Sequence, residues 1–220
     1  MKVNERKTKI AIPFFDDFMK NGDMKMLMIL LYKYEYTQPT TDKTKPYKVM
    51  PKWVYKKYKK EMILQYGKTE RTWNRNFKKM IDNGYIEEEG DMYLVYNKST
   101  DSKWYTLIDR DKIVDLLNID DFKDSEFKSY VIIHAKNYVY KLNTFIETQI
   151  CLSYFATVLG TNLTNAYRDY IGRREEGSYC EGAGILTRLE ENGFIKIKIK
   201  KEKSKATNLQ NNSYTFSICS

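Results

Sequence analysis

The sequence predicts an α+β protein made of two tandem units, each a helix-turn-helix followed by a β-hairpin. Three observations carry this reading. A ten-residue phrase at 77–86, FKKMIDNGYI, returns at 186–195 as LTRLEENGFI. In both, apolar residues recur at helical spacing, Asn-Gly supplies the left-handed stop that a helix C terminus favours, and an aromatic-aliphatic pair opens a strand. A hydroxyl suited to helix capping, Thr69 or Ser178, stands fifteen residues before each of those glycines. The third observation is charge. A formal +9 over 220 residues favours a polyanionic partner, above all nucleic acid.

Length and composition bound the rest. The chain fits one large domain or two small ones, and 42% hydrophobic content is enough for real cores. Residues 1–100 hold 21 Lys+Arg against 13 Asp+Glu, and the remainder 17 against 16. The basic surplus therefore sits in the first unit, expected over 1–98; the second is expected over 99–220. Its acids gather in 101–126 and its bases in 168–205.

In the first unit, residues 1–9 are polar and basic and read as a mobile arm. Residues 10–15 form a short apolar strand. Asp23 is placed to cap a helix with an inner stripe of Met24, Leu27, Met28 and Leu31. Met26, Ile29 and Leu30 make it apolar nearly all round, which suits the centre of a core. Residues 37–48, polar with two prolines, read as a loop. Met50-Pro51 starts the second helix, 52–62, with Trp53, Val54 and Tyr58 inward. Its outer lysines, Lys56, Lys57, Lys59 and Lys60, suit phosphate, or form a solvated face.

After a turn at 65–67, Thr69 caps the third helix, 70–83. Trp73, Phe77, Met80 and Ile81 make its inner stripe. Arg71, Asn74, Arg75, Lys78 and Lys79 lie opposite, with Lys68 just ahead. Arginine forks onto guanine, asparagine pairs with adenine and lysine meets phosphate, so these residue types fit a helix in a major groove. The hairpin at 85–96 alternates Tyr85, Met92, Leu94 and Tyr96 with polar residues. Its acidic tip, Glu87-Glu88-Glu89, would be repelled by a phosphate backbone. It is either a solvated turn or faces a basic protein surface.

The domain boundary is expected in the polar stretch 97–103. Residues 104–108 then match the strand at 10–15, and 109–117 read as a short helix. Ser125 caps a long helix, 126–141, whose stripe of Phe127, Tyr130, Val131, His134 and Tyr138 makes His134 a core or interface residue. Residues 147–159 form a helix stopped at Gly160. An extra helix, 163–174, exposes Arg168, Arg173 and Arg174. Ser178-x-x-Glu181 opens the last helix, with Gly182 and Gly184 inside it weakening the signal. Which of these two segments enters a groove is open. Residues 194–200 alternate strictly: Ile195, Ile197 and Ile199 on one side, Lys196, Lys198 and Lys200 on the other. Lys201, Lys203 and Lys205 continue the charge, and 213–219 return as a strand. This long basic hairpin suits phosphate or minor-groove contact, or is an edge strand guarded by lysine.

Other classes find little support. There is no phosphate-cradling glycine loop, and a single histidine leaves no Ser-His-Asp or Cys-His constellation. Cys151, Cys180 and Cys219 are far apart and form no C-x-x-C pair, which argues against structural zinc and for reduced thiols. No catalytic residue, metal or cofactor is expected, and the protein is read as no enzyme. No signal peptide opens the chain and no run approaches a bilayer span, so it is expected in the cytoplasm with no membrane partner.

At 69–86, TERTWNRNFKKMIDNGYI, the chain resembles the winged-helix domains of replication initiators and replisome organisers from low-GC bacterial plasmids and phages. Its tandem pattern is similar to plasmid initiators with two winged helices. That resemblance implies one recognition helix per unit in successive major grooves of double-stranded origin repeats. It also implies a homodimer through one unit, or a replisome protein as partner. A transcriptional regulator on an operator uses the same parts, and a protein-interaction or dimerisation module is the reading from a different class. The long segment 160–177 and the acidic first hairpin depart from the pattern.

Overall fold

The computed structural model describes residues 9–13, 16–33, 47–96, 105–139, 142, 144–162, 166–172, 184–203 and 210–219. The architecture is mixed α+β with small antiparallel sheets. The chain divides into two compact units, 1–127 and 128–220.

In the first unit, β1 (Lys9–Pro13) is followed by α1 (Asp16–Asn21), α2 (Met24–Lys33), β2 (Tyr47–Pro51), α3 (Lys52–Tyr66) and α4 (Glu70–Asp82). Then come β3 (Ile86–Glu89), β4 (Met92–Tyr96), β5 (Tyr105–Asp109) and α5 (Arg110–Leu117). β2, β4 and β3 form one sheet in that order, and β1 pairs with β5 in another. As the apolar pattern requires, α2 is the centre: every side chain from Met24 to Leu31 is buried.

Asp23 fixes how α2 meets its neighbours. Its Oδ1 accepts the Met26 amide at 2.9 Å, the cap expected from sequence. Its Oδ2 accepts the Tyr66 hydroxyl from the end of α3 and the Asn76 amide from α4 at 3.1 Å. Asn76 Nδ2 also donates to the Tyr66 hydroxyl at 2.7 Å. A second carboxylate, Asp124 Oδ1, accepts the Met24 and Lys25 amides at 2.5 and 3.0 Å. The first turn of α2 thus has three of its orphan donors satisfied by side chains.

Several expectations change. Residues 47–51 are a strand, not loop and helix start: Tyr47 pairs with Tyr96 and Pro51 with Met92. Pro51, whose ring fixes a φ of −58°, is both the last residue of β2 and the residue before α3. Trp53 points to solvent at 67% exposure, and Tyr55 is buried in its place. Met92 is also partly exposed. The expected boundary at 98/99 moves to 127/128, because 105–109 pairs with β1 instead of opening the second unit.

α6 (Asp124–Asn137) contains the division between the units. It starts one residue before Ser125 and stops short of 141, where β6 (Tyr138–Val139) pairs with β7 (Thr144–Phe145). β8 (Thr148–Gln149), α7 (Leu152–Leu159), α8 (Ala166–Tyr170), α9 (Ile185–Glu191), β9 (Ile195–Lys203) and β10 (Gln210–Ile218) complete the second unit. The helix expected over 147–159 is therefore a short strand and a shorter helix. β8, β10 and β9 form one sheet in that order. The Phe155 ring packs on Tyr170 at 5.6 Å and Phe216 at 5.7 Å, and Tyr130 on Phe194 at 5.7 Å. His134 is buried, 4.7 Å from the Phe145 ring, as an apolar-face histidine should be.

Leaving aside β1, α1, β5, α5, α8 and the small β6–β7 hairpin, the elements run through one order twice. It reads α2, β2, α3, α4, β3, β4 in the first and α6, β8, α7, α9, β9, β10 in the second. In both sheets the last strand lies between the other two. The repeated Asn-Gly ends repeat in atomic detail. Tyr85 N donates to Met80 O at 2.8 Å and Gly84 N to Ile81 O at 2.8 Å. Phe194 N donates to Leu189 O at 3.0 Å and Gly193 N to Glu190 O at 2.9 Å. With Gly84 at φ +70° and Gly193 at +75°, both are Schellman closures that turn the chain into a strand.

Gly184 has a different role from the one its place in the sequence suggests. It precedes α9, and a Cβ there would lie 2.5–2.6 Å from the backbone of Tyr170 and Ile171. Gly184→Ala should therefore destabilise the protein by about 1–3 kcal/mol. Denaturant unfolding of the single variant checks this.

Burial also governs the tyrosines. Tyr55, which accepts the Trp73 indole N–H at 2.9 Å, is pushed up to about 12 by desolvation. Desolvation and then the Asp23 carboxylate push Tyr66 up, and desolvation and then Asp17 do the same for Tyr85. A raised folded pKa contributes stability that is complete below the ordinary phenol value and lost as pH climbs through the folded one. Unfolding free energy should therefore fall across pH 10 to about 12, the window that Tyr55 sets. Denaturant melts over that range, read beside tyrosinate absorbance, check it.

Candidate nucleic-acid interface

α4 is two-faced because of its spacing. Trp73, Phe77 and Met80 are buried, and Ile81 is partly so. Arg71, Asn74, Arg75, Lys78 and Lys79 are all exposed. Thr69 caps the helix by accepting the Thr72 amide at 3.3 Å, and exposed Lys68 precedes it. The outward stripe therefore exists as expected, on a helix held at both ends. Two acids enter it: Glu70 hydrogen-bonds Asn74, and Lys78 bridges Asp82 at 3.1 Å, with both side chains of that ion pair well exposed. A solvated pair of this kind is worth little and can be exchanged for a phosphate contact.

The lysines of α3 separate. Lys59 bridges Glu70 at 2.9 Å, and this contact pulls the Glu70 carboxyl below its ordinary range. Lys56 is exposed, three residues from both Lys59 and Trp53 and so between their two sides of the helix. Lys57 falls on the same side as Trp53, four residues earlier, away from α4.

The first hairpin carries Glu87, Glu88 and Glu89 exposed, with Glu88 bridged to Lys52 at 2.7 Å. These acids therefore lie along strand β3, exposed and partly neutralised, just before the turn at 90–91.

Among the described residues of the second unit, a row of exposed lysines lies on the hairpin. Lys196, Lys198 and Lys200 are exposed along β9, while Ile195 and Ile197 are buried beneath. Lys201 lies further along β9. Lys198 is ion-paired with Glu147. Register adds a feature missed in the sequence. Lys196, Lys198 and Lys200 stand opposite Ser217, Thr215 and Ser213 of β10. Residues directly opposite share a face, so a row of hydroxyls flanks the row of ammonium groups. The signal was the period-2 alternation S-Y-T-F-S-I at 213–218, whose apolar members Tyr214 and Phe216 are buried.

α9 offers no comparable stripe. Leu186, Thr187 and Leu189 are buried, Glu190 accepts the Ile197 amide at 2.8 Å, and Glu191 is exposed. Arg168 lies in α8; Arg173, Arg174 and the Ser178 cap lie outside the described residues.

Among the described residues no group of three His, Cys, Asp or Glu could hold a metal ion, and no helix is long and apolar enough to cross a membrane. Cys151 and Cys219 are free thiols. Against known protein families, curated proteins and solved structures, the chain matches none.

Removing the carboxylate beside Lys198 should strengthen polyanion binding. Glu147→Ala is expected to elute from heparin at higher salt than the unmodified chain, with the log–log salt slope steeper by no more than about one unit. Elution at unchanged salt would mean that the β9 row is not a polyanion contact.

Proposed function

We propose that the chain is a tandem winged-helix protein that binds double-stranded DNA with sequence selectivity. The observation that carries the reading is the exposed Arg71-Asn74-Arg75-Lys78 stripe of α4, back to back with the buried Trp73-Phe77-Met80 stripe. Arginine and asparagine are the side chains that make bidentate contacts with guanine and adenine in a major groove. The repeated order of helices and strands, with the last strand central in each sheet, is that of a winged helix and supports the tandem reading.

The units divide the labour in this proposal. α4 reads bases, helped by Lys68 and Lys56 on phosphates. The β9–β10 hairpin grips backbone through Lys196, Lys198 and Lys200, with hydroxyls of β10 alongside. The resemblance to plasmid and phage initiators extends the proposal to starting or organising replication at origin repeats, with a second copy or a replisome protein as partner. Binding at an operator as a transcriptional regulator is the alternative setting.

Contact type separates the variants. Arg71→Ala or Arg75→Ala should each reduce discrimination between cognate and scrambled duplex by about 1–3 kcal/mol, measured by competition gel shift. Replacing Lys196, Lys198 and Lys200 together should weaken binding to every sequence and flatten the salt slope by as much as about 2.7 units. Unchanged affinity in both sets would leave the interaction-module reading in place of DNA binding. Protected tandem repeats in a footprint of neighbouring DNA would mark an origin, and a protected promoter an operator.

A further inference from the structure

α3 carries a second surface that the duplex reading leaves unused. Tyr55 faces α4, where it accepts the Trp73 indole N–H and stacks on Phe77 with ring centroids 4.7 Å apart. Trp53 is two residues earlier, roughly 160° around the axis at 3.6 residues per turn, so it faces away from α4. It is 67% exposed, a large area of indole for a chain with an otherwise well-filled core. Lys56, Lys57 and Lys60, all exposed, lie three, four and seven residues beyond it, and Lys57 and Lys60 share its side of the helix. Glu61 is the one acid on the exposed part of α3. Leu64, 83% exposed, closes the strip, but lysines separate it from Trp53, so the face is no continuous apolar patch.

We infer that this face of α3 binds single-stranded nucleic acid, with Trp53 as a base-stacking platform and Lys57 and Lys60 on the flanking phosphates. Charge complementarity selects a polyanion, and the solvent-facing indole selects one whose bases are unpaired. A duplex keeps its base faces stacked on one another, whereas a single strand offers them to an aromatic ring. The inference goes beyond the duplex proposal and does not require it, because the strip and the α4 stripe share no side chain.

The test uses the full chain and a short oligodeoxythymidylate. Tryptophan emission should quench on addition of the oligonucleotide, and Trp53→Phe should abolish the change while the buried Trp73 remains. Trp53→Ala should weaken the oligothymidylate by about tenfold and leave cognate duplex binding unchanged. Lys57→Gln with Lys60→Gln should flatten the single-strand salt slope by about 1.4 units. Equal affinity of Trp53→Ala for the oligonucleotide, or an equal quench by poly-L-glutamate, would overturn the inference. Loss of duplex selectivity in Arg71→Ala, measured in parallel, reports on the duplex proposal separately.

Discussion

One carboxylate organises the first unit. Asp23 sits where three helices converge, and each of its oxygens has a separate task. One closes the first turn of α2; the other receives the Tyr66 hydroxyl from α3 and the Asn76 amide from α4. Because Asn76 also reaches Tyr66, the three side chains make a closed triangle of hydrogen bonds. Asn76 is a neighbour of Arg75 on α4, so the same triangle fixes the rotation of α4 about its axis. That rotation decides which residues face solvent. An apolar core alone would tolerate a small roll of the helix, whereas a network of directional bonds does not.

The two units share an order of elements but place their charge in opposite parts. In the first, the cations are on a helix and the hairpin is acidic. In the second, among the described residues, the row of lysines is on the hairpin, and α9 shows Glu191 to solvent and spends Glu190 on the Ile197 amide. A helix offers side chains in register with base edges; a twisted hairpin with lysines and hydroxyls in rows offers donors without base specificity. The two units thus present two surfaces with different physical capacities.

Local patterns in the sequence were legible where they depended on local causes. Both Asn-Gly stops, the Thr69 and Asp23 caps, and the stripes of α2 and α4 follow from helical spacing and from the need for a positive φ. What escaped had a distant cause. Val49 and Met50 become strand because Leu94 and Tyr93 stand opposite them, which no neighbouring residue announces. Residues 105–109 look like the start of a second unit until β1 is seen beside them. Gly184 reads as a poor helix residue, but the closeness of the Tyr170–Ile171 backbone is what excludes a side chain there. The exposed position of Trp53 is the instructive case in the site. An aromatic next to Val54 reads as core, and only the depth of Tyr55 shows that the inward positions are already filled.

The pairing of β1 with β5 bears on how the chain is made. Lys9 finds its partner only at Asp109, and Met24 receives its outer cap only from Asp124. A ribosome delivers these ends in strict succession, so α2, buried from Met24 to Leu31, leaves the exit tunnel about a hundred residues before its last partners do. Long-range closures of this kind slow folding. A nascent first half therefore passes through an interval in which α2 is exposed to whatever binds greasy segments in the cell, and a chaperone has its best opportunity there.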